Sequence, residues 1–220
     1  MPLIDYRWLK GRTPCVLGYE SSMTSAVMVP LAWRQGQLAV LFEERAHSLN
    51  RQPGEICFPG GRVDPCDPEP VQAAVRETCE ELGLCAGDLE VIAPLDILVT
   101  PYNLIVHPFL CEVNAAAELR PNPDEVADVF WVPLEFFHAT PPLTWELRVH
   151  MHPAEDFPFD LIPSGRDYDW KVGVYQVHFY LYEGRVIWGM TARLVHHLLR
   201  LLTTTACPLE ERATPPGPPY

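Results

Sequence analysis

A double glycine leading into an acid-bearing helix constrains this chain more than any other stretch. From Gly54 to Leu84 it reads GEICFPGGRVDPCDPEPVQAAVRETCEELGL. Asp67 has the chemistry of an N-cap, Pro68 suits a first helical position and Gly83 a stop, so a helix is expected over about 68–82. At about 100° per residue, Glu77, Glu80 and Glu81 share one arc, and Val71, Val75, Cys79 and Leu82 form the face expected to be buried. Carboxylates three and four apart repel one another. A solvated acidic face would tolerate that, but the FPGG turn at fixed distance points instead to a neutralising cation. Oxygen-only ligands select a hard divalent ion, Mg²⁺ or Mn²⁺.

The rest of the chain reads as alternating strands with few helices. Ser25–Trp33 and Leu38–Glu43 form a hairpin around Gly36, and Ile56–Phe58 is short and extended. Leu89–Leu95, Ile97–Val99, Leu104–Val113 and Val126–Val132 follow as strands, and Pro133–Phe137 as a short helix or turn. Trp145–His152 alternates as a half-buried strand, Pro153–Trp170 is irregular, and Val172–Tyr182 and Arg185–Trp188 are strands. Leu194, Val195, Leu198 and Leu202 mark a second helix over 191–202. This pattern predicts an α/β (α+β) fold, a mixed sheet between helices. One domain is expected over 1–202, with a Pro-rich, disordered tail over 203–220. The pairs His150/His152 and His196/His197 lack acid or Cys partners at ligand spacing and read as ordinary strand and helix residues rather than a zinc site.

A net charge of −13 excludes non-specific binding to nucleic acid or an anionic membrane, so an anionic substrate has to be received locally. The seven cysteines form no CxxC pair, which points to reduced thiols and a cytoplasmic setting. The opening MPLIDYRWLKGR lacks the apolar segment of a leader, and no run is long enough to span a membrane.

Arg76-Glu77-x-x-Glu80-Glu81-x-Gly83-Leu84 behind Gly60-Gly61 resembles the box of the Nudix hydrolases. Arg45-Ala46, Gly54 and Phe58-Pro59-Gly60-Gly61 are similar to the signature of that family's coenzyme A pyrophosphatase branch. Three positions depart from the pattern. Asn50 stands where the branch has a second Arg, which here is Arg51. Thr78 replaces an aliphatic residue, and Pro68 fills the slot of the box's first Glu, flanked by Asp67 and Glu69.

The resemblance implies an α/β/α sandwich with a loop-helix-loop box. It also implies metal-dependent hydrolysis of a nucleoside diphosphate linked to another group, here coenzyme A or its derivatives, giving 4′-phosphopantetheine and 3′,5′-ADP. It places Glu80 and Glu81 on the metal, with the Gly60 carbonyl completing the shell, Glu77 as a further ligand or the group that orients the water, Arg76 as a structural partner of the carboxylates, and Glu125 as the candidate base, its other reading being a helix or strand-end cap. Arg45 and Arg51 are candidates for gripping the substrate, and Gly60, Gly61 and Arg62 stand beside it. A homodimer is compatible with the family. Two alternatives stay open: the same chemistry on ADP-ribose or a reduced nicotinamide dinucleotide, and a non-catalytic nucleotide sensor.

Overall fold

The computed structural model describes residues 7–13 and 16–203. The expected hairpin forms: β1 (Met23–Arg34) turns through Gln35 and Gly36 into β2 (Gln37–Arg45). Both turn residues have positive φ, 51° and 81°, a turn whose twist matches that of the strands it joins.

Beyond the Leu31–Val40 pair the two strands separate, and the chain from β3 (Ile56–Cys57) to β4 (Gly60–Arg62) enters the gap. Cys57 and Ile56 pair with Glu43 and Glu44 of β2, then Gly60 and Gly61 pair with Val27 and Ala26 of β1. The Met28 N–H donates to the Pro59 carbonyl at 2.8 Å and closes the wedge. The expected glycine turn is therefore a short strand paired to β1, entered from β3 on β2.

On the other edge of β1 runs β7 (Leu104–Val113), parallel to it from Met23–Leu104 to Leu31–Glu112. β5 (Leu89–Pro94) and β6 (Leu98–Val99) pair antiparallel with β7, and β8 (Val126–Pro133) with β2, giving an eight-stranded mixed sheet. Alternation along β1 and β2 splits its two faces. Ala26, Met28 and Leu41 pack on Ala73, Ala74 and Leu82 of α1 (Pro70–Leu82). Val29, Val40 and Phe42 pack towards Leu194, Val195 and Leu198 of α3 (Gly189–Thr203), with the ring of Phe137 of α2 (Leu134–Ala139) tilted against Phe42. This is the expected mixed sheet between helices. The later strands β9 (Leu143–Val149), β10 (Gly173–Tyr182) and β11 (Arg185–Trp188) form a second, antiparallel sheet that supplies Tyr180 and Ile187 to the α3 side of the core.

Four expectations need adjusting. α1 begins at Pro70 with extended Glu69 as its cap, because a residue before proline is held out of the helical region. Asp67 caps nothing; its oxygens receive the Arg76 guanidinium and the Asp64 N–H. The helix is also rotated from the apolar wheel. It buries Ala73, Ala74, Thr78, Glu81 and Leu82, while Val71, Val75 and Cys79 lie half-buried at the rim. Small residues on the sheet-facing side let the helix sit close, and the Thr78 hydroxyl donates to the Ala74 carbonyl at 2.7 Å. Finally, β9 is not half-buried: Trp145 is 67% exposed, and every residue before Val149 is exposed. Its clean alternation reflects an edge strand with no layer over it, and His150 and His152 lie beyond its end. The expected tail, from residue 204 onward, lies outside the described residues.

Candidate functional site

The wedge of β3 and β4 and the rotated α1 meet at the double glycine. The Gly60 N–H donates to Glu81 Oε2 at 2.8 Å, tying helix to loop. Gly60 has a φ of 147°, and a Cβ there would lie 2.6 Å from Val27 Cα and closer still to the Ala26 carbonyl. At Gly61 a Cβ would come within 2.6 and 2.7 Å of the two Glu77 carboxylate oxygens. The first glycine is required by the backbone, the second by the carboxylate stacked on it.

Arg76 is the hub of the acidic face. Its Nη1 lies 2.6 Å from Glu77 Oε1 and 3.6 Å from Glu80 Oε2, while Nη2 lies 3.0 Å from Asp67 Oδ2 and Nε donates to Asp67 Oδ1. The residue beside the empty box position thus supplies a carboxylate to the arginine, and the Arg76 hydrogen bonds hold the Asp67 pKa down. Glu77 is pushed up by burial, an effect that Arg76 moderates.

Glu81 is buried, 6% exposed. Burial first, and then the charge of Glu43, raise its pKa well above the carboxylate range; the Gly60 N–H opposes this. Glu43 itself was not singled out from sequence. It is raised by burial, with the Cys57 S–H and Arg45 opposing. Its signal was present: Ala39, Leu41 and Glu43 are alternate residues of β2, so an acid continues the row that faces α1.

Glu125 is exposed, but its loop is fastened to the site. The Ala46 N–H donates to the Glu125 carbonyl, the Asn122 N–H to the Glu81 carbonyl, and Asn122 Nδ2 to Glu125 Oε2 at 3.1 Å. Its charge contributes to the upward shifts of Glu43, Glu77 and Glu81. Arg45 lines a cavity of about 500 Å³ with Cys57, Tyr102, Val149, Tyr175 and Met190, and its Nε is buried without a hydrogen-bond partner. Arg51 is exposed on the preceding loop and is not part of that lining. Arg62 is exposed too; its carbonyl, not its guanidinium, meets Arg76.

Among the described residues, no three His, Cys, Asp or Glu side chains converge as a finished cation cage. Glu77 and Glu80 are instead drawn to Arg76. The donor set still fits a hard divalent ion. It is oxygen-only, its buried member Glu81 is disfavoured as an anion by burial and by the charge of Glu43, and a cation would relieve that cost.

A profile of the NUDIX domain matches residues 23–152. The chain is similar to the peroxisomal coenzyme A diphosphatase NUDT7 of Mus musculus, 36% identical over 67% of this chain and 57% of that protein. It is also similar to the mitochondrial coenzyme A diphosphatase NUDT8 of Homo sapiens, 31% identical over 89% of this chain and 75% of that protein. A solved Nudix hydrolase from M. Smegmatis, RenU, matches at a TM-score of 0.45 and 24% identity, over 54% of this chain and 74% of that chain.

Proposed function

The chain belongs to the Nudix family, and from that premise we propose that it hydrolyses the pyrophosphate link of coenzyme A or a derivative, releasing 4′-phosphopantetheine and 3′,5′-ADP. The observation that carries this reading is the seating of Glu77 and Glu81 on the paired glycines, with Arg76 spanning Asp67, Glu77 and Glu80. Relatives named as coenzyme A diphosphatases support the substrate class.

Glu77, Glu80, Glu81 and the Gly60 carbonyl would hold Mg²⁺ or Mn²⁺. When bound, such an ion neutralises phosphate oxygens and makes water a stronger nucleophile. Arg76 keeps the Glu77 and Glu80 carboxylates oriented and the turn before α1 closed through Asp67. Asn122 engages one oxygen of Glu125, leaving the other to take the proton of the attacking water. Arg45, with an unsatisfied Nε at the cavity wall, meets an anionic or hydrogen-bonding part of the substrate, while the apolar lining takes the non-nucleotide half. Arg51 and Arg62 reach substrate only from the surface. Among the described residues no helix is long and apolar enough to cross a membrane, and five free cysteines fit a reducing compartment.

The test is turnover of a nucleotide panel with Mg²⁺, run beside Glu80→Gln and Glu81→Gln. Cleavage of coenzyme A to the two named products, lost in both variants, is expected. Wild-type turnover in both variants would remove the metal assignment. An inert coenzyme A with rapid ADP-ribose cleavage would replace the substrate, and tight binding without product would make the protein a sensor.

A further inference from the structure

Glu43 is a buried carboxylate of which the protein satisfies only one oxygen. It is 1% exposed in the middle of the wedge. The Cys57 S–H donates to Oε1 at 3.2 Å, and Oε2, equally buried, has no hydrogen-bond partner. A valine or leucine would continue the Ala39–Leu41 row and fill this place without that cost. An unsatisfied anion in a core costs several kcal/mol unless something outside the chain meets it.

What surrounds Glu43 says what that partner is. β3 pairs Cys57 with it, three residues before Gly60, and Gly60 donates to Glu81. The charge of Glu43 acts on Glu81, and that of Glu125 acts on both. Arg45 is the cation that also acts on Glu43, and it lines the neighbouring cavity. A second hydrogen-bond donor would be the ordinary remedy for a buried carboxylate, but Arg45, the cation that acts on it, makes no hydrogen bond to Oε2, and the other charged groups here, Glu81 and Glu125, are acids. The thiol fixes one oxygen and so sets the direction of the other.

We propose that Glu43 is a fourth carboxylate of the divalent-cation site, contributing Oε2 to the hold on the ion that Glu81 binds. This rests on the metal-dependent reading given above. It assigns a residue from β2, outside the helical motif, to the same ion, and gives Cys57 the role of positioning it.

The test measures binding, not turnover. Metal-free full-length protein, Glu43→Gln and Glu81→Gln are titrated with Mn²⁺ by electron paramagnetic resonance, and the melting temperature of each is recorded with and without the ion. Glu43→Gln keeps the shape and removes the charge. The expected result is at least about tenfold weaker Mn²⁺ binding, the scale seen when groups supporting a metal are lost. The metal-free melting temperature should be unchanged or higher, and the gain on adding Mn²⁺ smaller. If Glu81→Gln weakens binding and Glu43→Gln does not, the assignment of Glu43 is overturned while the metal reading stands. If neither weakens it, both fall. A metal-free Glu43→Gln that melts well below wild type would make the residue structural and also overturn the proposal.

Discussion

The neighbouring glycines should respond differently to one and the same substitution. At Gly60 an added methyl meets backbone, the Ala26 carbonyl and Val27 Cα, and φ is 147°, where side chains are rarely tolerated. Strain of about 1–3 kcal/mol and overpacking of about 1–3 kcal/mol add up to roughly 2–6 kcal/mol. For a chain of this size that lowers the melting temperature by roughly 4–24 °C. At Gly61 the methyl's nearest neighbours are atoms at the end of the Glu77 side chain, which can swing away. Moving it loosens the 2.6 Å contact with Arg76, a partly exposed pair worth about 1 kcal/mol or less. Melting should therefore fall by no more than about 4 °C. Turnover should suffer far more, because the carboxylate must retreat by about 1 Å, a displacement that can cost about a hundredfold in rate. Thermal denaturation by circular dichroism of Gly60→Ala and Gly61→Ala, with steady-state turnover of each, measures both quantities. Equal losses of melting temperature, or full turnover in Gly61→Ala, would refute the separation of backbone from carboxylate made here.

Other outcomes follow from the same geometry. Arg76→Lys cannot reach Asp67 with two nitrogens while holding Glu77, so kcat should drop by about 10- to 100-fold with little change in fold by circular dichroism. Phe42→Ala empties the place between Phe58, Phe130 and Phe137 and should cost about 3–5 kcal/mol in urea denaturation. Glu43 and Glu81 have folded pKa values above their unfolded ones, so the metal-free protein gains from their protonated forms below the ordinary carboxylate range and loses that gain as pH rises through neutrality. Its melting temperature should therefore fall between pH 5 and pH 8; a rise across that interval would contradict the burial of this pair.

The parts of this molecule that announce themselves in sequence are those fixed by local rules. The β1–β2 hairpin, the αL stop at Gly83 and the second helix each follow from turn chemistry or periodicity within a dozen residues. The three glutamates of α1 were legible because their spacing and the double glycine lie in one short stretch. What was not legible depends on partners far along the chain. The wheel put Val71, Val75 and Cys79 inside because it maximises apolar burial, whereas the helix turns to bring Glu81 to the Gly60 N–H and leaves those three at the rim. β9 shows the converse error, since alternation marks a strand but cannot say whether a layer covers it. Glu43 combines both problems. Its row on β2 is readable, but its meaning depends on β3 entering a gap that exists only because β1 and β2 part company after Leu31 and Val40. A buried acid in an apolar row looks like a defect when the strand is read alone. Placed against Cys57 and Glu81 it is the feature that most strongly calls for a cation, and the misfits between pattern and structure gather where α1 and β2 face the site because burial was given up there to bring charges together.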